Sequence, residues 1–285
     1  MSFQIITDSC CDLTEAQLTA WNVACVPLTV TYKGESHKNF SDGAAVKAFY
    51  DELRTGVMAS TSAANPDDWA QEMKVALDKG KDVLALCFSS GLSTTYQSAV
   101  IAAKELREEY PQSKIYVVDT LAAALGQGLL VYHACQLRDQ GKTVDEVYTW
   151  AEENKLKLCH WVTVDDLTHL KRGGRISATT AIVGTMLNIK PIIYVDNDGH
   201  LINTSKVRGR KTAMELLVKK LKETGTDFET VFIAHGDCPE DAATLETMVR
   251  EQCGVQNVIT GYVGPVIGAH TGPGVLVVFF LGTHR

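Results

Sequence analysis

The sequence predicts an α/β protein of two α/β domains, the first with a mostly parallel sheet covered by helices and the second with a mixed sheet. Three observations carry that prediction. Residues 83–88, VLALCF, are apolar at every position and too short for a helix, so they read as a strand buried on both faces. Strand-like and helix-like segments alternate through the first half, the order that builds a parallel sheet with helices on both sides. A chain of 285 residues is long enough for two hydrophobic cores, and the polar run Glu152-Glu153-Asn154-Lys155 offers a boundary between them. The expected domains are therefore residues 1–155 and 156–285, packed closely because no Pro- or Gly-rich linker parts them.

Taken in order, residues 3–7 read as the first strand, closed by the polar corner Asp8-Ser9. Asp12, with Glu15 three residues on, reads as the cap of a short helix. Residues 23–32 are β-branched and partly alternating, and Lys33-Gly34 is a turn. Ser41-Asp42-Gly43 opens a helix through about Leu53. Residues 59–66 form a hydroxyl-rich loop with a readable end: Asn65 caps, Pro66 takes the first helical position, and Asp67 and Asp68 make an acidic first turn. After the 83–88 strand the chain breaks into Ser89-Ser90-Gly91-Leu92-Ser93-Thr94-Thr95, then a helix with Ala99, Ala103, Leu106 and Tyr110 on one face. Residues 114–119 read as a strand and 121–140 as a long apolar helix. Thr143 and Glu146 form a capping box that opens the next helix.

In the second half, 158–164 reads as a strand and 165–170 as a short helix running into Lys171-Arg172-Gly173-Gly174-Arg175. Residues 192–195 and 201–207 read as a hairpin around Asp196-Asn197-Asp198-Gly199. A helix follows Arg208-Gly209-Arg210-Lys211, a strand spans 230–235, another helix starts at Pro239, and strands span 257–263 and 275–281. Between the last two, residues 261–274 (GYVGPVIGAHTGPG) hold five glycines and two prolines, which predict a shaped loop with His270 inside it.

Composition narrows the function classes. With 45% hydrophobic and 21% charged residues the chain carries no disorder signature. A net charge of −7 argues against a broad phosphate-backbone footprint, so no nucleic-acid partner is expected. The start MSFQIITDSC lacks the basic and apolar regions of a signal peptide, and the run 275–281 is far short of the ~20 residues that span a bilayer. A cytoplasmic location is expected. Eight cysteines include no CxxC pair, and Cys10-Cys11 are adjacent, so free thiols are expected rather than disulfides or a metal site.

Candidate chemistry gathers at three stretches. Ser93 and Thr94 follow a buried strand and precede a helix, a place that either caps the helix or holds an anion. Thr61 and Ser62 are left free by Asn65, which does the capping. Two glycines between Arg172 and Arg175 make a flexible backbone flanked by positive charge, suited to phosphate or a carboxylate, or simply a helix C-cap with basic company. No GxxxxGK[ST], GxGxxG after a strand, GxSxG or HExxH motif is present, so the chain has no ATP loop or other cofactor motif of its own.

Four stretches together resemble the DegV family: Thr7-Asp8-Ser9 with Asp12-Leu13, residues 89–99 (SSGLSTTYQSA), residues 171–176 (KRGGRI) and residues 268–274 (GAHTGPG). The spacing fits over essentially the whole chain. Thr94 stands where the family often has glycine, and Thr61-Ser62-Ala63-Ala64-Asn65 replaces its TSQPS-like loop. The resemblance implies a two-domain α/β protein that binds one long-chain fatty acid, with Thr61, Ser93 and His270 holding the carboxylate. It further implies a separate ATP-dependent kinase subunit that phosphorylates the bound carboxylate to acyl phosphate for phospholipid synthesis. Arg172 and Arg208 would serve kinase docking or the phosphoryl group, with a transient membrane contact and no cofactor beyond the lipid. The chain itself would be a lipid-binding subunit rather than an enzyme. Two other readings stay open on the residues alone: an acyl hydrolase with Ser93 as nucleophile and His270 as base, and a sensor of a small phosphorylated ligand using Ser93 and the arginines.

Overall fold

The computed structural model describes residues 3–165, 167–177, 188–226 and 228–285. In chain order the first half contains β1 (Phe3–Asp8), α1 (Glu15–Ala20), β2 (Val23–Val26), β3 (Thr29–Tyr32), β4 (Glu35–Lys38), α2 (Gly43–Arg54), β5 (Ala59–Ser62) and α3 (Pro66–Leu77). It continues with β6 (Asp82–Cys87), α4 (Thr95–Glu109), β7 (Ile115–Asp119), α5 (Ala124–Asp139) and α6 (Val144–Asn154). The second half contains β8 (Leu158–Thr163), α7 (Thr168–Arg172), β9 (Ile189–Val195), β10 (Leu201–Arg208) and α8 (Arg210–Thr224). It ends with β11 (Thr230–His235), α9 (Pro239–Cys253), β12 (Asn257–Tyr262), α10 (Pro265–Thr271) and β13 (Leu276–Leu281).

The α/β class is as the sequence predicts. Strands β2, β1, β6 and β7 form a parallel sheet in that order. After Asp82, β6 is apolar at every position and buried on both faces: Leu84 and Leu86 enter a core shared with α5 and α6, and Val83, Ala85 and Cys87 one shared with α3 and α4. The second sheet, ordered β10-β9-β8-β13-β11-β12, is mixed, with only β11 and β12 parallel. One of its faces packs on α8 and α9; the other, through Val162, Phe232, Val277 and Phe279, joins the core around α5. Helix α5 is thus the seam between the sheets, which explains why it is apolar nearly all round.

A third, antiparallel sheet, β4-β3-β5, lies outside the sequence reading. Residues 23–32 are two strands because Pro27 lies between them: it has no N–H for a ladder, and the chain changes sheet there. The hydroxyl-rich residues 59–62 are a strand paired with β3, not a loop. Helix α1 is capped by Thr14 in a box with Gln17, while Asp12 closes a preceding short turn at φ 54°. Helix α5 starts at Ala124, later than the apolar pattern suggests, since Leu121 sits at φ 50° in the left-handed region. The glycine-rich stretch around His270 contains helix α10, begun by Pro265 at its first position and held by the buried Val266 and Ala269.

Candidate functional site

The loop after β6 is shaped by the Ser89 carbonyl, which accepts the N–H groups of both Leu92 and Ser93 at 3.1 Å. Thr94 precedes helix α4 but makes no side-chain cap. Ser93 does that work instead: its Oγ accepts the Thr95 N–H at 3.2 Å and lies 2.8 Å from Thr95 Oγ1. Strand β5 carries Thr61 and helix α10 carries His270, and the two meet, with Thr61 Oγ1 2.8 Å from His270 Nε2. Thr61, Ser93 and His270 line one cavity of about 460 Å³.

The KRGGR stretch closes around the same ring. Among the described residues His270 Nδ1 has no hydrogen-bond partner; it is buried against Gly173, where any side chain would collide with the imidazole. Arg175, also in the cavity wall, donates from Nε to the Leu92 carbonyl at 3.1 Å and from Nη1 to the Gly173 carbonyl at 2.6 Å. Burial, and then the Arg175 charge, lower the His270 pKa to about 4, so the ring is neutral at neutral pH. Arg172 and Arg208 take a different place. Both are exposed, at the ends of α7 and β10, and neither lines the cavity.

From this polar end the cavity runs along the mixed sheet. Val275, Val277 and Phe279 lie on its wall, an advance of about 13 Å at the usual strand rise. Val162, Ile193 and Val195 of the neighbouring strands extend the apolar bed, and Phe88, Ala123 and Ala124 face it from the first half. His160, which the sequence reading missed, stands opposite Phe279 in the register and also lines the wall. Its Nδ1 lies 3.2 Å from the Leu158 carbonyl, and its Nε2 accepts the Ala123 N–H at 3.3 Å. Burial holds its pKa down at about 3. The close approach of α5 that makes this possible needs Gly126, since a side chain there would strike the His160 and Phe279 rings.

Ligand atoms of Asp196, Asp198 and His200 lie within 4.8 Å of one another in the β9–β10 turn, but Asp196 Oδ1 already accepts the N–H groups of Asp198 and His200. A hollow of about 870 Å³ lined by Ser9, Asp12, Asn39, Asp42 and Tyr262 contains none of the predicted site residues.

Comparison with known proteins agrees with this architecture. A family model described as an uncharacterised protein of the DegV family matches residues 2–283. This chain belongs to the DegV family. A DegV domain-containing protein of Clostridium perfringens is 46% identical to it over 283 residues, covering 98% of this chain and 97% of the other. A DegV lipid-binding protein of Thermotoga maritima superposes with a TM-score of 0.86 at 28% identity, covering 100% of both chains. A fatty-acid-binding DegV family protein of Thermus thermophilus gives 0.87 at 29% identity, over 99% of this chain and 100% of that one. The fatty-acid-binding DegV of Bacillus subtilis gives 0.83 at 26% identity, over 99% of this chain and 100% of that one.

Proposed function

We propose that this protein binds one long-chain fatty acid, with its carboxylate among Thr61, Ser93 and His270 and its tail along the face of the mixed sheet. The observation that carries this reading is the cavity itself: an apolar bed leading from a cluster of hydroxyls, a neutral imidazole and one arginine. Burying a ~16-carbon tail at about 0.8 kcal/mol per CH₂ gives a gross gain on the order of 12 kcal/mol before ordering costs. The carboxylate opposes this, because burying it unpaired costs several kcal/mol. The two hydroxyls supply donors, and Arg175, which the sequence offers only as one of two arginines flanking a phosphate or carboxylate grip, supplies a charge. Fatty-acid binding by the Thermus and Bacillus relatives supports the same reading.

In this reading the chain is a lipid-binding subunit of the cytoplasm. A separate ATP-dependent kinase subunit phosphorylates the held carboxylate to acyl phosphate, which feeds phospholipid synthesis. The chain's part in that step is positioning. Arg172 and Arg208, exposed on α7 and β10, serve the docking of that subunit or its phosphoryl group, and lipid enters and leaves by transient membrane contact. The absence of a phosphate-binding loop from the sequence and the resemblance to the family support this division of labour. No helix of the described residues is long and apolar enough to cross a membrane. Residues 1–155 and 156–285 are proposed as the two domains that meet at the cavity.

The hydrolase alternative draws no support from the geometry among the described residues. His270 Nε2 bonds Thr61 rather than Ser93, and its Nδ1 faces Gly173 instead of a carboxylate that would orient it. The test of the fatty-acid reading is denaturing mass spectrometry of the organic extract from freshly purified wild type and Ser93→Ala. Near-stoichiometric fatty acid in the wild type, reduced in the variant, is the expected result. A phosphorylated metabolite in place of an acyl chain would overturn it.

A further inference from the structure

At the polar end of the cavity Thr61, Ser93 and His270 stand on three elements far apart in sequence, and one short turn outside the cavity wall is tied to all three. That turn is 8–12, the polar corner after β1. Toward Ser93, Asp8 Oδ2 accepts the Phe88 N–H at 2.7 Å, immediately before the Ser89 carbonyl that shapes the Ser93 loop. Toward Thr61, Ser9 Oγ accepts the Leu28 N–H at 2.9 Å, at the entry to β3, whose Val30 pairs with Thr61. Toward His270, the tie runs through Asn39. Its Nδ2 donates to the Ser9 carbonyl at 2.8 Å and its Oδ1 accepts the Val266 N–H at 3.0 Å, one helical turn before His270 in α10. The Asn39 N–H also donates to the Leu28 carbonyl at 2.8 Å, joining the second and third ties. Asp12, at the end of the turn, has its carboxylate buried beside Gly264, the residue that opens α10.

We infer that Asn39, working through Ser9, is a positioning residue for the carboxylate site: it fixes α10 against the Asp8–Asp12 turn so that His270 meets Thr61 and Ser93. The inference rests on the fatty-acid reading above. The amide suits the task as no other side chain of its size does. One end must accept from a backbone N–H and the other must donate to a carbonyl, and a carboxamide offers both from separate atoms without titrating. Asn39 lies between β4 and α2, is only half-buried and belongs to none of the hydrophobic cores, so removing its amide leaves the bed for the tail intact.

A general loss of structure and a loss of head-group positioning are separable by ligand choice. Delipidated wild type, Asn39→Ala and Asn39→Asp are titrated calorimetrically with palmitate and with hexadecanol, which share a tail and differ at the head. Wild type is expected to prefer palmitate. Asn39→Ala is expected to lose that preference by ~5-fold or more, the effect of one to two hydrogen bonds, with hexadecanol affinity unchanged. Asn39→Asp keeps the acceptor for Val266 and sets a second acceptor against the Ser9 carbonyl, so it also loses preference. Parallel weakening of both ligands, or an unchanged preference, overturns the inference and leaves the fatty-acid reading standing. A wild type that shows no preference for palmitate overturns both. If Asn39→Ala does not fold, Asn39→Asp, which keeps the acceptor for Val266 and loses only the donor to the Ser9 carbonyl, is held to the same comparison and the same outcomes.

Discussion

The two ends of the cavity are built by opposite rules. The bed is one face of one sheet: alternate residues of β8, β9 and β13 fall on it automatically once the strands pair, because side chains alternate with period two. The polar end has no such guarantee. Thr61, Ser93, Arg175 and His270 arrive from four different segments and are held by one or two hydrogen bonds each and by a glycine with no room for a side chain. Apolar beds are therefore robust in position and sensitive in volume, whereas the head-group cluster is sensitive in position.

That contrast is broken or sharpened most strongly at Phe279, which is fully buried in the bed. Phe279→Ala should cost about 3–5 kcal/mol of stability, the range for such truncations, read as a shift in denaturant midpoint. The same variant should carry longer acyl chains in its extract, because the wall recedes. If stability were unchanged, the bed would not be part of the core.

Acid should expose the next largest effect. His160, held at about 3, and His270, at about 4, stay neutral in the folded chain, whereas an unfolded chain protonates both below about 6.5. The stability they protect is fully present above 6.5 and is lost as pH falls toward 3, at up to about 1.4 kcal/mol per pH unit for each proton. Asp8, raised to about 6 by burial, works in the other direction: its contribution is present below 3.8 and lost as pH rises through 6. Replacing His160 by glutamine should therefore flatten the fall in melting temperature between pH 6 and 4. An unchanged slope would mean that His160 is not buried neutral.

At the polar end the changes are expected in affinity more than in stability. Gly173→Ala places a methyl group against the His270 ring and should push the imidazole off Thr61. Palmitate affinity should fall by ~10-fold, with a smaller change in the denaturant midpoint. Thr61→Ala removes one hydroxyl and should weaken palmitate by ~5-fold while leaving hexadecanol alone. Equal losses for both ligands would place Thr61 in the tail bed instead.

Much of this was legible in the sequence, and what was missed has physical causes. The apolar run 83–88, the Asn65–Pro66 helix start and the Thr143–Glu146 box each announce themselves locally; the helix start and the box are found as read, and the strand is found one residue earlier, over Asp82–Cys87. Strand β5 did not, because a four-residue strand rich in threonine and serine resembles a loop until its partner is known. Glycine content concealed α10, where tertiary packing outweighs weak helix propensity. Family resemblance brought Thr61, Ser93 and His270 together, and the structure places them on one cavity. It did not assign Arg175 or His160, since nothing local distinguishes Arg175 from Arg172 or marks a strand histidine as facing inward. The role of Gly173 was equally hidden: a glycine at a helix end reads as a cap, and only the distant His270 ring shows why a side chain is excluded there.

The most direct test of the account is a crystal structure of the chain with palmitate brominated at its terminal carbon. The account predicts the bromine beside the Phe279 and His160 end of the bed and a carboxylate oxygen within hydrogen-bond distance of Thr61 and Ser93. Bromine at the Ser93 end, or the chain lying in the hollow lined by Asp12 and Asp42, would contradict it.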